Sequence, residues 1–255
     1  MSAVSPQLRN LRAAREAVDH SSWVLPAISL LIVVGCAAYI LTADLDDIEA
    51  RALAPEEILI AVFDHIKLVL ASTVIVIGVG IPLGIALSRR WAAPFRGIVL
   101  GFANAGQAVP SIGILVLLAL LFGIGFQMAV VALVLYALLP VLRNTLVGLQ
   151  QVDPAVVDAG RGMGMSSSEI LRRIELPLAV PVMLAGVRIA LILNVGVATI
   201  ATFTNGGGLG NLIERGIALN RMPILLVGSL LTIALALLVD WSASIVEKKI
   251  KPKGL

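Results

Sequence analysis

Several unbroken apolar stretches in this chain reach the thickness of a bilayer core, and nothing else about it restricts the fold as much. The run from Ile66 to Leu87, IKLVLASTVIVIGVGIPLGIAL, carries a single charge, Lys67. Hydrocarbon offers no partner for backbone N–H and C=O groups, so a segment of about 20 apolar residues can cross only as a helix that satisfies its own backbone. A membrane β-barrel would instead show alternating segments of about ten residues. The composition agrees with helices: 59% of the 255 residues are hydrophobic and 14% are charged, which excludes a soluble domain. The expected class is all-α, a polytopic membrane protein.

Six crossings are expected. They are an N-terminal helix in 23–42, then Ile66–Leu87, Gly97–Phe122, Gln127–Leu149, Leu178–Phe203 and Pro223–Val246. Pro110, in the middle of the third, should kink or break it, because proline removes a helical N–H and crowds the preceding turn. Residues 43–65 read as an acidic connector, with Asp44, Asp46, Asp47, Glu49, Glu56, Glu57 and Asp64 against Arg51 alone. Basic residues gather elsewhere. They lie in the tail 1–22 (Arg9, Arg12, Arg15), between spans 2 and 3 (Arg89, Arg90, Arg96), between spans 4 and 5 (Arg161, Arg172, Arg173) and in the tail 247–255 (Lys248, Lys249, Lys251, Lys253). Cytoplasmic loops are enriched in Lys and Arg, so both termini are expected in the cytoplasm and the acidic connector outside. Trp23, Trp91 and Trp241 fall near cytoplasmic boundaries, as an interfacial belt would place them. The net charge of +3 comes from these short clusters, with no interleaved aromatics, and does not suggest nucleic acid. Cys36 is the one cysteine and can form no internal disulfide. The polar residues 1–22 and the span-length run after them argue against a cleavable leader.

The polar stretch Asp153–Pro177, DPAVVDAGRGMGMSSSEILRRIELP, interrupts the apolar C-terminal part. Ser166 with Glu169 has the form of a capping box that starts a helix. Gly160, Gly162 and Gly164 before it suggest an elbow between two short helices, and Pro177 is expected to stop the loop and turn the chain into the fifth span. The stretch resembles the cytoplasmic "EAA" loop of ATP-binding-cassette (ABC) importer permeases: an acidic residue, two small residues, a glycine four positions on, then nine residues and I-x-L-P. Asp158, Ala159, Gly160, Gly164, Ile174, Leu176 and Pro177 supply that pattern with every spacing intact. Asp stands for Glu and Gly for the second Ala. The bland alternative is an amphipathic cytoplasmic loop in which Asp158 is only a solvated charge.

The resemblance spans about residues 60–250 and implies a type I importer core of five helices, a transmembrane domain over 66–246, with the 23–42 helix added in front of it. Further runs resemble permeases for osmoprotectants such as glycine betaine, choline and carnitine. These are GIPLGIALSRR (80–90), AVPSIGILVLLALLFGIG (108–125), LYALLPVLRNT (135–145), VDPAVVDAGRGMGMS (152–166), LPLAVPVMLAGVRIA (176–190) and GVATIATFTNGGGLGNLI (196–213). GGGLG is also similar to methionine-importer permeases, so amino-acid import stays open as an alternative. The resemblance implies a non-catalytic subunit of the cell inner membrane. It also implies three partners: an ABC ATPase, a second permease chain that is identical or related, and an extracytoplasmic binding protein. The chain has no G-x-x-x-x-G-K-[ST] phosphate loop, so no cofactor is expected in it; ATP and magnesium belong to the ATPase.

Other candidates come from charge and polarity within the spans. Arg188 lies deep in span 5, where a charge needs a partner or an aqueous path. Asp240 in span 6 is the acidic residue nearest in depth; snorkelling, or binding of carbonyls by Arg188, is the alternative. Asn104, Gln107, Asn194, Thr199 and Thr202, with Arg188, form a possible translocation path, against the alternative of plain helix–helix hydrogen bonds. Gly206, Gly207, Gly208 and Gly210 form a possible extracytoplasmic gate, against a plain flexible turn. The spans hold too few aromatics for a cation–π cage, so tight capture belongs to the binding protein. His20 and His65 read as surface residues, and no metal site is expected. A secondary transporter would show inverted repeats and midplane ionisable residues, and a membrane enzyme would show a nucleophile–base or metal cluster. No repeat is seen and only Arg188 lies deep, and no H-E-x-x-H or comparable set occurs in the spans.

Overall fold

A computed structural model describes residues 23–250. The expected tail 1–22, including His20, and the final residues 251–255 lie outside the described residues. In chain order the helices are α1 (Val24–Thr42), α2 (Asp47–Ala52), α3 (Pro55–Ser88), α4 (Ala93–Ala108), α5 (Ser111–Phe122), α6 (Phe126–Gln150), α7 (Pro154–Gly162), α8 (Ser167–Ile170), α9 (Leu176–Ala198), α10 (Gly210–Ala218) and α11 (Met222–Ile250). No strand occurs among the described residues.

At the centre, α6 is flanked by α3 and α9. Missing side chains let these helices approach. A Cβ on Gly84 of α3 would lie 2.7 Å from Thr145 Cβ on α6. One on Gly186 of α9 would lie 2.7 Å from the Pro140 carbonyl. Lipid gives no hydrophobic drive for helix association, so close packing through small residues takes that role. Leu68, Leu133, Leu115 and Val195 fill the space between them and are fully buried.

α1 leans on α11. The Trp23 and Trp241 rings lie 5.8 Å apart, and Ser29 Oγ donates to the Ala234 carbonyl at 2.9 Å. Its 19 residues rise about 28 Å, one hydrocarbon thickness. Most of its surface is exposed leucine, isoleucine and valine, as a lipid-facing helix requires.

Three expectations are corrected. The acidic connector 43–65 is largely helical: α3 starts at Pro55, not Ile66. Proline fits a first helical position, and Glu56 and Glu57 favour the helix N-terminus, so the helix extends beyond the apolar run. This end has its own core of Leu53, Ala61, Leu209, Leu212, Ile224 and Val227. Second, the third span does not cross as one continuous helix: the break expected at Pro110 separates α4 from α5, which are bent by 98°. Val109 before Pro110 is extended (φ −78°, ψ 136°), the conformation a following proline enforces. Neither piece, at 16 and 12 residues, reaches across a bilayer alone. Third, Pro177 does not stop the loop. The helix runs from Ser167 to Ala198 through a π turn at Leu171–Glu175. That widened turn shifts the preceding carbonyls, with Leu176 N–H donating to Leu171 O, and accommodates the proline ring.

The broken pair still joins opposite ends of the bundle. Where it begins, Arg89 Nη2 lies 2.8 Å from Glu175 Oε2 at the base of the Asp153–Glu175 loop. Where it finishes, Gly125 N–H donates to Thr204 O at 2.7 Å in the connector after α9. At that same end Arg215 pairs with Glu57 and Arg221 with Asp46. The 1–2, 3–4 and 5–6 connectors therefore share one end of the bundle.

Candidate functional site

At the loop end, Asp153 caps α7, its Oδ1 accepting from Ala155 N–H at 2.8 Å, and Pro154 fills the first helical position. The helix closes in a Schellman arrangement. Met165 N–H donates to Gly160 O at 3.1 Å, and Gly164 N–H to Arg161 O at 2.9 Å. Gly164 carries the left-handed conformation this needs (φ +81°). Ser166 then starts α8 with both halves of a capping box to Glu169. Two short helices thus meet at a fixed angle, with no freely jointed residue between them.

The loop glycines divide their work differently from the expected elbow. Gly164 alone makes the turn, whereas Gly160 is a packing position inside α7, where a Cβ would lie 2.7 Å from Ile174 Cδ1. Ile174 thereby locks α7 against the start of the long helix, and Leu176 and Pro177 continue from it, half-buried. Asp158 and Ala159 are exposed, and among the described residues Asp158 pairs only with Arg161, at 2.8 Å. The sequence reading missed Val156 and Met163, which stand exposed three and four residues either side of Ala159. Met163 keeps 73% of its surface. The i, i+3, i+7 spacing of Val156, Ala159 and Met163 was the available signal for a single apolar ridge.

Deeper in the bundle, Arg188 and Asp240 meet in a bidentate pair. Nε reaches Oδ1 at 2.5 Å and Nη2 reaches Oδ2 at 2.9 Å. A third member, Glu247, lies 3.6 Å from Nη1. It falls within the expected tail 247–255, but α11 continues to Ile250, and the spacing of seven puts it on the face of Asp240. The cluster borders a groove of about 520 Å³ between α3, α9 and α11, lined otherwise almost wholly by apolar side chains such as Ile66, Leu70, Leu184 and Leu191.

The remaining path candidates are not brought together. Asn104 is exposed on α4. Gln107 donates to the Tyr136 carbonyl at 2.9 Å. Asn194 is fully buried, donating to Thr73 Oγ1 at 3.1 Å while its own Oδ1 has no partner. Thr199 bonds back to Gly196 O, and Thr202 to Asn211 Oδ1. Except for exposed Asn104, each is engaged in joining or ending helices.

At the connector end, the glycine segment is seated, not loose. Gly206, Gly208 and Gly210 are buried. A Cβ on Gly206 would lie 2.9 Å from Ala129 Cβ, and one on Gly210 only 2.0 Å from Thr199 O. Beneath the segment lies His65, expected at the surface but fully buried. Among the described residues no group of three or more His, Cys, Asp or Glu side chains could hold a metal ion.

Residues 80–252 match the family described as "Binding-protein-dependent transport system inner membrane component". The chain belongs to this family. It is thus the permease component of a binding-protein-dependent ABC importer and a multi-pass inner-membrane protein. The match begins within α3, so α1 and α2 precede it. This permease is 39% identical over 199 residues to the glycine betaine/carnitine/choline transport system permease protein OpuCB of Bacillus subtilis, covering 78% of this chain and 91% of that one. It is 37% identical over 224 residues to the osmoprotectant import permease protein OsmY of Salmonella typhimurium, covering 88% and 94%. The fold is also that of the MetNI methionine ABC transporter in an inward-facing form, with a TM-score of 0.67 at 22% identity over 76% of this chain and 96% of that chain.

Proposed function

We propose that this permease carries a quaternary-ammonium osmoprotectant, of the glycine betaine, choline or carnitine class, through a path it forms with a second permease chain. A separate ATPase drives it, and this subunit performs no chemistry of its own. The observation that carries the solute class is the 37–41% identity to permeases named for those solutes. The methionine alternative rests on a likeness of fold at 22% identity.

The loop end faces the cytoplasm in this reading, because the Arg and Lys clusters gather there. The ridge of Val156, Ala159 and Met163 docks in a groove of the ATPase, as an amphipathic helix does. Asp158 lies beside it at the rim. Because Gly160 and Ile174 lock α7 to the α8–α9 helix, a push on α7 moves α9, and α9 carries Arg188 and the glycine segment. The break at Pro110 and exposed Asn104 lie on the face that meets the second permease chain or the path, since irregular backbone at membrane depth persists only against protein or water.

Solute-stimulated ATP hydrolysis tests this. The complex isolated through this chain is reconstituted with its binding protein and given glycine betaine, choline, carnitine or methionine. Stimulation by a quaternary amine is expected. Stimulation by methionine alone overturns the solute class, and absence of any co-purifying ATPase overturns the importer assignment.

A further inference from the structure

Among the described residues, His65 is the one fully buried ionisable side chain that no part of the importer mechanism above uses. Its ring is held from two sides. Leu209 N–H donates to Nδ1 at 3.3 Å, so Nδ1 carries the lone pair, and Nε2–H donates to the Val195 carbonyl at 3.1 Å. Both partners are backbone groups left over where a helix ends. Thr199 N–H turns to Gly196 O, away from Val195 O, as α9 tightens into a 3₁₀ turn. Leu209 precedes α10 and has no side-chain cap there. One imidazole thus links the end of α9 to the start of α10, from α3.

The glycine segment lies directly on that ring. A Cβ on Gly208 would be 3.0 Å from Nδ1 and 3.3 Å from His65 Cα. Gly207 and Gly208 both hold positive φ, +83° and +96°, which favours glycine at both positions. The attachments on either side are unequal. Gly125 N–H to Thr204 O is 2.7 Å and Gly206 N–H to Ala201 O is 2.9 Å, both good backbone bonds. Of these three the bond to His65, at 3.3 Å, is the longest, and it is the one on the far side of Gly207–Gly208.

We propose that His65 is the positioning residue of a gate: its Nδ1 holds Leu209, and with it the Gly206–Gly210 segment, closed over the extracytoplasmic end of the path, and release of that bond loosens the segment as the first step of its opening. The proposal rests on the importer reading for what passes beneath the gate. The hydrogen bond itself does not depend on that reading.

Two isosteres separate the two bonds. In His65→Asn the amide oxygen sits near the Nδ1 position and can accept from Leu209. In His65→Gln the amide sits near Nε2 and keeps only the Val195 contact. His65→Leu removes both. In the assembled complex, hydrogen exchange across 205–212 is expected to speed up about tenfold in His65→Leu and His65→Gln, and to stay within about twofold in His65→Asn, with α6 unchanged in all. Solute transported per ATP should fall about fivefold or more in the first two and recover in His65→Asn. Gly208→Ala, which presses on Nδ1 with His65 in place, should open the segment in the same way. Equal exchange in all the chains overturns the latch. Equal opening in the Asn and Gln variants, or failure of every His65 variant to assemble, makes His65 a packing residue and also overturns it. A wild-type complex with no solute-stimulated hydrolysis removes the gate together with the importer reading, even where the exchange contrast between Asn and Gln holds.

Discussion

Arg188 holds two carboxylates at once, and its removal leaves both Asp240 and Glu247 without their cation. A lost partner for a fully buried charge costs about 3–5 kcal/mol. Arg188 keeps 34% side-chain exposure, so about 2 kcal/mol is a fairer figure for Arg188→Ala. A lower thermal midpoint of the purified permease is the readout. Adding Asp240→Ala should recover about half the loss, because the pair then goes together; losses that simply add would show that the residues act independently. Depth and rarity of charge made this pair legible from sequence. Glu247 was not, because a glutamate beside Lys248 and Lys249 looks like tail until the helix is seen to continue through it. His65 was misread for a related reason: an isolated histidine among acidic residues carries no pattern, and its burial comes from the segment near Leu209 folding back over it.

At the scale of elements, the elbow between α7 and α8 is stiff, as the proposed coupling to the ATPase requires, and Gly164 sets its angle. Gly164→Val forces a β-branched residue into φ +81°, at a local cost of about 1–2 kcal/mol. Solute-stimulated ATP hydrolysis should be lost while helix content, read by circular dichroism, stays unchanged. Met163→Glu places a charge on the exposed ridge and should weaken co-purification of the ATPase about tenfold without altering the thermal midpoint of the isolated permease. Charge and capping signals made the existence of two short helices readable. The roles within the loop were not: Gly160 and Gly164 look alike in sequence, yet one packs on Ile174 and the other turns the chain. Pro110 could be read as a kink or break, but not as a 98° bend, since the angle depends on what α4 and α5 pack against.

Across the whole molecule, the shared ends of the connectors fix which loops lie together, and the proposed orientation, with the loop end in the cytoplasm, rests on the charge distribution. Single cysteines in a Cys36→Ser background test that orientation. Met163→Cys should react with an impermeant maleimide only when the cytoplasmic face is open, and Ile217→Cys, at the other end, only from outside. Labelling of both from one side would break the six-crossing topology. The sequence by itself determined the material of the fold: helices, because apolar runs of bilayer length leave no other way to satisfy the backbone, and their order along the chain; the charge clusters that recur at alternate loops are the basis for the proposed orientation. It also carried the loop pattern, since fixed spacing is a one-dimensional property. Only the tertiary structure decided which polar groups meet. It joined Arg188 to Asp240 and Glu247, divided the other polar candidates among separate helix contacts, and closed the glycine segment over His65. Those pairings depend on how close α3, α6 and α9 approach, and that distance is set by packing between side chains far apart in the chain.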